Sequence, residues 1–178
     1  MNTGILKSIT SFLVNDSSQS ETTVGHLKVG DPAPNFNSLN EKGEKVSLAD
    51  FKGKKLALFF YPADNTPACT AAACSLRDGY AELRSKGIEM LGVSPDSVKK
   101  HSKFVDKFSF PFSLIADEDL TVLNAYGVWG WKKFMGREYD GVHRTTFLID
   151  EKGVIEQIFD KVNTKNHAEQ IMDSLRKA

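Results

Sequence analysis

The feature that most limits the fold is an unbroken apolar and aromatic run, Leu56-Ala57-Leu58-Phe59-Phe60-Tyr61. With no polar alternation, it suits a central strand covered on both faces by helices. The residues that follow fit that setting. Leu76, Tyr80 and Leu83 recur at helical spacing, and Gly87 supplies the left-handed stop. Ile88 to Val93 reads as a second strand, and Ser94-Pro95-Asp96 as the N-cap, first-turn proline and early acid of a helix through Phe104 and Phe108. Phe112 to Ala116 reads as a third buried strand and Asp119 to Tyr126 as a short helix. Thr145 to Ile149 and Val154 to Phe159 read as two strands joined at Glu151-Lys152-Gly153, and a last helix carries Ala168, Ile171, Met172 and Leu175. The expected class is α/β, with a mixed central sheet flanked by helices.

The 178 residues suffice for one domain plus a tail. Residues 1–24 are expected to form a flexible N-terminal extension. Ile5, Leu6, Ile9, Phe12 and Leu13 have helical rather than signal-peptide spacing, and Asp16 to Thr23 is a polar linker. Residues 25–178 then form the folded domain. No run approaches the roughly 20 apolar residues of a membrane span. Lys+Arg and Asp+Glu both number 23, so no net field attracts nucleic acid. Two cysteines are too few for a disulfide-stapled scaffold, and the four histidines lack zinc-finger spacing.

The segment Pro62-Ala63-Asp64-Asn65-Thr66-Pro67-Ala68-Cys69 leads from the buried strand through a loop and places Cys69 where a helix should begin. The crevice beyond a strand's carboxyl end is the favoured ligand site of an open α/β sheet. Unpaired N–H groups at a helix start favour a thiolate, the nucleophilic form of cysteine. On position alone, Cys69 is equally a small buried hydrophobe. Thr66 can aim its hydroxyl at the sulfur or cap the helix. Pro62 and Pro67 restrict the loop or simply mark the turn.

The pattern Pro62-x-x-x-Thr66-x-x-Cys69 resembles the active-site signature of the peroxiredoxins, thiol peroxidases on a thioredoxin-like fold. Asp31-x-Ala33-Pro34-x-Phe36, Arg77-Asp78, Leu91-Gly92-Val93-Ser94, Tyr126-Gly127-Val128-Trp129-Gly130 and Arg144-Thr145-Thr146-Phe147-Leu148-Ile149-Asp150 extend the resemblance from about Val29 to the C-terminus. Cys74, five residues after Cys69, is similar to the second cysteine of the peroxiredoxin Q or bacterioferritin comigratory protein subgroup. The resemblance implies a cycle without metal, haem or other cofactor. Cys69 as thiolate attacks a hydroperoxide and becomes a sulfenic acid. Thr66 bonds the sulfur and the peroxide, Pro62 belongs to the site loop, Arg144 stabilises the thiolate, and Cys74 resolves the sulfenic acid. Thioredoxin or a similar dithiol is the implied reductant, with a monomeric enzyme in the cytoplasm.

Five helical residues separate Cys69 from Cys74 by about 7.5 Å along the axis and about 140° around it. Their Cα atoms then lie about 8 to 9 Å apart, beyond the roughly 7 Å limit of an unstrained disulfide. Resolution therefore requires the first helical turn to unwind. Alternatively, Cys74 is a packing residue and a separate thiol resolves Cys69.

The chain departs from the subgroup pattern at Ala68 and Ala72, where Gly and Glu are common, and at Trp131 and His143, where an acid is frequent. Lys99-Lys100-His101-Ser102-Lys103 reads as a solvated helix face and the histidines as spectators. Trp129, Trp131 and Phe134 read as one loop, which either stacks a ligand or packs on the domain. Two competing functions are a peroxide sensor using the same cysteine pair and a disulfide oxidoreductase. The Cys-x-x-Cys needed by the latter is absent.

Overall fold

The computed structural model describes residues 25–177. The amphipathic stretch Ile5 to Leu13 and the linker Asp16 to Thr23 lie outside the described residues. The elements are β1 (Asn37–Asn40), β2 (Lys45–Ser47), a 3-10 turn (Leu48–Phe51), β3 (Lys55–Phe60), α1 (Pro67–Asp78), α2 (Tyr80–Ser85), β4 (Ile88–Ser94), α3 (Val98–Phe108), β5 (Ser113–Ala116), α4 (Thr121–Ala125), β6 (Trp129–Phe134), β7 (Arg137–Val142), β8 (Thr145–Ile149), β9 (Ile155–Phe159) and α5 (His167–Arg176).

Seven strands form one sheet in the order β2-β1-β5-β4-β3-β8-β9. The pairs β3–β4 and β4–β5 are parallel, whereas β3–β8 and β8–β9 are antiparallel. The sheet is therefore mixed. Side chains of β3 alternate between its faces with the two-residue period of a strand. Ala57 and Phe59, with Tyr61 just beyond the strand, join Leu76, Leu83, Phe104 and Ile171 on one face. Leu56, Leu58 and Phe60 join Val122, Leu123, Tyr126 and Phe147 on the other. This double burial explains why β3 has no polar alternation, and each large side chain it buries contributes roughly 1.5–3 kcal/mol.

Several elements differ from expectation. The helix expected through Leu76 and Leu83 breaks at Gly79, where a Cβ would lie 2.4 Å from the Ala168 Cβ of α5. The cap of α3 is Ser97, whose Oγ accepts from the Lys100 N–H, rather than Ser94. Ser94 instead donates its hydroxyl to Asp96 Oδ2 at 2.8 Å.

Strands β1 and β2 are short and carry Asn and Lys, which conceals them from a periodicity argument. The residues expected as a tryptophan-bearing loop form strand β6 of a hairpin with β7, turning at Met135 (φ 50) and Gly136 (φ 78). Two successive positive φ values match a two-residue turn whose twist suits a hairpin. Trp131 is 60% and Phe134 62% exposed, so neither packs on the domain.

Candidate active site

The antiparallel register of β8 on β3 builds the site. Phe60, the last residue of β3, pairs with Thr145, the first of β8. The end of β3 releases the Pro62–Thr66 loop into α1, and the residue before Thr145 is Arg144. A cysteine at the third position of α1 and an arginine far along the chain thus meet over the same strand end. Arg144 Nη2 donates to Cys69 Sγ at 3.1 Å. Its Nη1 is buried and has no hydrogen-bond partner among the described residues.

Cys69 is 2% exposed and belongs to the helix-side core. The Arg144 contact puts a fixed positive charge directly against the sulfur. Pro67 is the first residue of α1, a position where its missing N–H costs nothing. Thr66 occupies the N-cap position, but its hydroxyl donates to the Ala63 carbonyl at 3.1 Å, neither capping the helix nor contacting sulfur. The expected Thr66–sulfur bond is absent among the described residues. A hydroxyl that donates to a carbonyl still has lone pairs to accept a proton from a ligand. Pro62 lies two residues past the end of β3 and is half-buried.

Cys74 lies in the same unbroken helix as Cys69, and both are free thiols. Burial pushes the Cys74 thiol up, opposed by the Arg77 charge. In the resting fold it is held as a thiol, with helix geometry separating it from Cys69.

Two residues lie where the sequence reading did not place them. Lys132 of β6 donates to the Val142 carbonyl at 2.7 Å. Burial lowers its ammonium, the Arg144 charge lowers it further, and the Cys69 sulfur opposes them, so the hairpin brings a second cation into the field of the site. A lysine in a charged strand carries no signal of such placement. His101 is fully buried, contrary to the solvated face expected for Lys99–Lys103. Its position between Val98 and Phe104, three residues from each, puts it on the apolar stripe of α3, a pattern that reveals its burial.

His143, the residue before Arg144, meets the Trp131 carbonyl through Nε2 at 3.0 Å. His167 is buried at the start of α5. Its Nε2 faces the Thr146 hydroxyl at 2.8 Å and its Nδ1 the Gln170 Oε1 at 3.0 Å. Asp64, Asp96 and His101 place potential ligand atoms within 4.8 Å of one another, but these atoms already serve hydrogen bonds of the site loop. No helix among the described residues is long and apolar enough to cross a membrane.

Residues 29–158 match the model of the AhpC/TSA family. A putative peroxiredoxin bcp of Haemophilus influenzae is 51% identical over 150 residues, covering 84% of this chain and 97% of the relative. The peroxiredoxin Bcp of Escherichia coli strain K12 is 46% identical over 150 residues, covering 84% and 96%. Among solved structures, the bacterioferritin comigratory protein of Xanthomonas campestris, studied for alkyl peroxide reduction, superposes with a TM-score of 0.74 at 32% identity, over 80% of this chain and 90% of that one. The peroxidoxin BcpB of Mycobacterium tuberculosis superposes with a TM-score of 0.75 at 31% identity, over 85% and 98%. The mixed sheet with flanking helices is the thioredoxin-like fold of these proteins.

Proposed function

The chain belongs to the AhpC/TSA family and is a peroxiredoxin, a peroxide-reducing oxidoreductase; on that premise we propose that Cys69 is its peroxidatic nucleophile and Cys74 its resolving thiol. The observation carrying this reading is the 3.1 Å contact from Arg144 to the Cys69 sulfur. The thiolate attacks the terminal oxygen of a hydroperoxide. An S–O bond forms, the O–O bond breaks, and the departing alkoxide or hydroxide takes a proton to leave as alcohol or water. Cys69 becomes a sulfenic acid. The buried Nη1 of Arg144 is a spare donor for the oxygen on which negative charge develops. The Thr66 oxygen can accept from the peroxide O–H, and Pro62 restricts the loop through its fixed φ.

The Cys74 sulfur then attacks the Cys69 sulfur, forming the disulfide and expelling water. Two electrons and two protons from thioredoxin or a similar dithiol restore both thiols. Hydrogen peroxide and alkyl hydroperoxides are the proposed substrates. Alkyl hydroperoxides are favoured by the Xanthomonas relative studied for alkyl peroxide reduction. Residues 25–178 act as the catalytic domain, and the cycle runs in a monomer in a reducing compartment such as the cytoplasm.

The deciding experiment follows NADPH oxidation with thioredoxin, its reductase and hydrogen peroxide. Wild type turns over and Cys69→Ser consumes no peroxide. A wild-type rate in Cys69→Ser overturns the assignment, and single-turnover oxidation without sustained turnover would instead support a sensor.

A further inference from the structure

Asp64 lies in the loop between β3 and α1, five residues before Cys69, and is tied to three parts of the fold. The Tyr61 hydroxyl donates to its Oδ1 at 2.6 Å, and His101 Nδ1 of α3 meets its Oδ2 at 2.7 Å. Its backbone N–H donates to Asp96 Oδ2 at 2.7 Å. The other nitrogen of His101, Nε2, is 2.9 Å from the Ile115 carbonyl in β5. A carbonyl only accepts, so Nε2 carries a proton, and a second proton must lie between Nδ1 and Oδ2. Whichever partner holds that proton the pair is neutral in sum, and its side chains are only 0% and 4% exposed. Burial and the Asp64 charge raise the Tyr61 hydroxyl well above its ordinary range, so it remains a donor.

The next residue, Asn65, has φ 61. Asn tolerates this left-handed conformation better than most residues, but such a turn persists where its surroundings hold it. Thr66 and α1 follow at once. Nothing in the peroxide chemistry uses Tyr61, Asp64 or His101 directly.

We propose that Asp64 and His101 are positioning residues for peroxide reduction, fixing the loop that sets the start of α1 and so presents Cys69 to Arg144 and the peroxide. The proposal rests on the reading of Cys69 as the peroxidatic nucleophile. The pair acts through geometry, because its summed charge is zero and its field at the sulfur is correspondingly weak. Alignment of reacting atoms matters because a misplacement of about 1 Å can cost on the order of 100-fold in rate.

The test uses the full chain and compares two reactions of Cys69. Peroxide reduction needs an aligned O–O bond, whereas alkylation by iodoacetamide needs a thiolate that the reagent can reach but no such alignment. Asp64→Ala should lose about tenfold or more in the second-order rate with hydrogen peroxide while its alkylation rate stays within about threefold of wild type. Asp64→Asn can still accept from Tyr61 and can donate its amide to a neutral His101 Nδ1. It should recover at least half of the loss on a logarithmic scale.

A smaller loss in Asp64→Ala, a larger change in alkylation, or a smaller recovery in Asp64→Asn overturns the proposal. If Asp64→Ala does not fold, Tyr61→Phe decides. It keeps the ring packing and should lose about threefold or more with peroxide at unchanged alkylation, and a smaller loss overturns the proposal. Cys69→Ser runs in parallel. If it still consumes peroxide, the nucleophile assignment fails and the positioning role fails with it; if it is inert, the Asp64 variants bear on positioning alone.

Discussion

Arg144 Nη2 donates to Cys69 Sγ at 3.1 Å across 75 positions of sequence. The contact joins the connection before β8 to the first turn of α1, so it exists only because β8 pairs with β3 in the register Phe60 to Thr145. One guanidinium nitrogen holds the sulfur and the other remains available to a second acceptor.

Removing that guanidinium should slow peroxide reduction about 100-fold, the usual consequence of deleting one preorganised donor from a site of developing charge. Arg144→Lys should also be impaired, because an ammonium cannot present two nitrogens in a rigid fork. Stopped-flow rates with hydrogen peroxide check this. Rates within fivefold of wild type in Arg144→Gln would remove Arg144 from the mechanism.

Cys74 should be unreactive until Cys69 is oxidised, because burial keeps it a thiol and α1 keeps the sulfurs apart. Peroxide-treated wild type should yield a Cys69–Cys74 peptide in non-reducing mass spectrometry and lose helical circular dichroism. Cys74→Ser should accumulate sulfenic and then sulfinic acid at Cys69. Two free thiols in oxidised wild type, or disulfides only between chains, would contradict the resolving role.

His167 should make the fold sensitive to acid. Burial, with the Arg144 charge adding to it, depresses its pKa to about 4, against about 6.5 in an unfolded chain. Between those values the unfolded state takes up a proton that the folded state refuses. Stability present above pH 6.5 therefore declines as pH falls toward 4, by on the order of 3 kcal/mol. Denaturant titrations at pH 7 and pH 5 should show this loss in wild type and a smaller one in His167→Gln. Equal losses in both proteins would assign the acid sensitivity elsewhere.

Gly79 should resist substitution for steric reasons. Its φ of −89 and ψ of 4 are open to alanine, but the added methyl would meet the Ala168 Cβ at 2.4 Å and force α5 from α1. Gly79→Ala should therefore cost about 1–3 kcal/mol, as overpacked cores do, despite the higher helix propensity of alanine. Thermal melting checks the sign, and an unchanged or raised Tm would show that α5 moves aside freely.

The local pattern of residues determined most of the framework. An uninterrupted apolar β3, the Leu76 and Leu83 spacing, Gly87 at φ 75 and the α5 stripe are each short-range consequences of burial and backbone sterics. Cys69 was legible for a related reason: strand, loop, proline and helix start are contiguous, and their order dictates a cysteine in the first helical turn. Tertiary structure decided the partners. Arg144 was suggested by family resemblance, but its approach to the sulfur depends on strand register, a property of two segments far apart in the chain. Lys132 enters the site on a hairpin whose strands lack clean alternation, and His101 lies on a helix whose neighbouring lysines suggest solvent. Thr66, whose hydroxyl has several acceptors in reach, was committed to the Ala63 carbonyl by the shape of the loop. Periodicity reports which face of an element is buried; which side chains meet across that buried space depends on how the elements pack, and that is decided only when the whole chain folds.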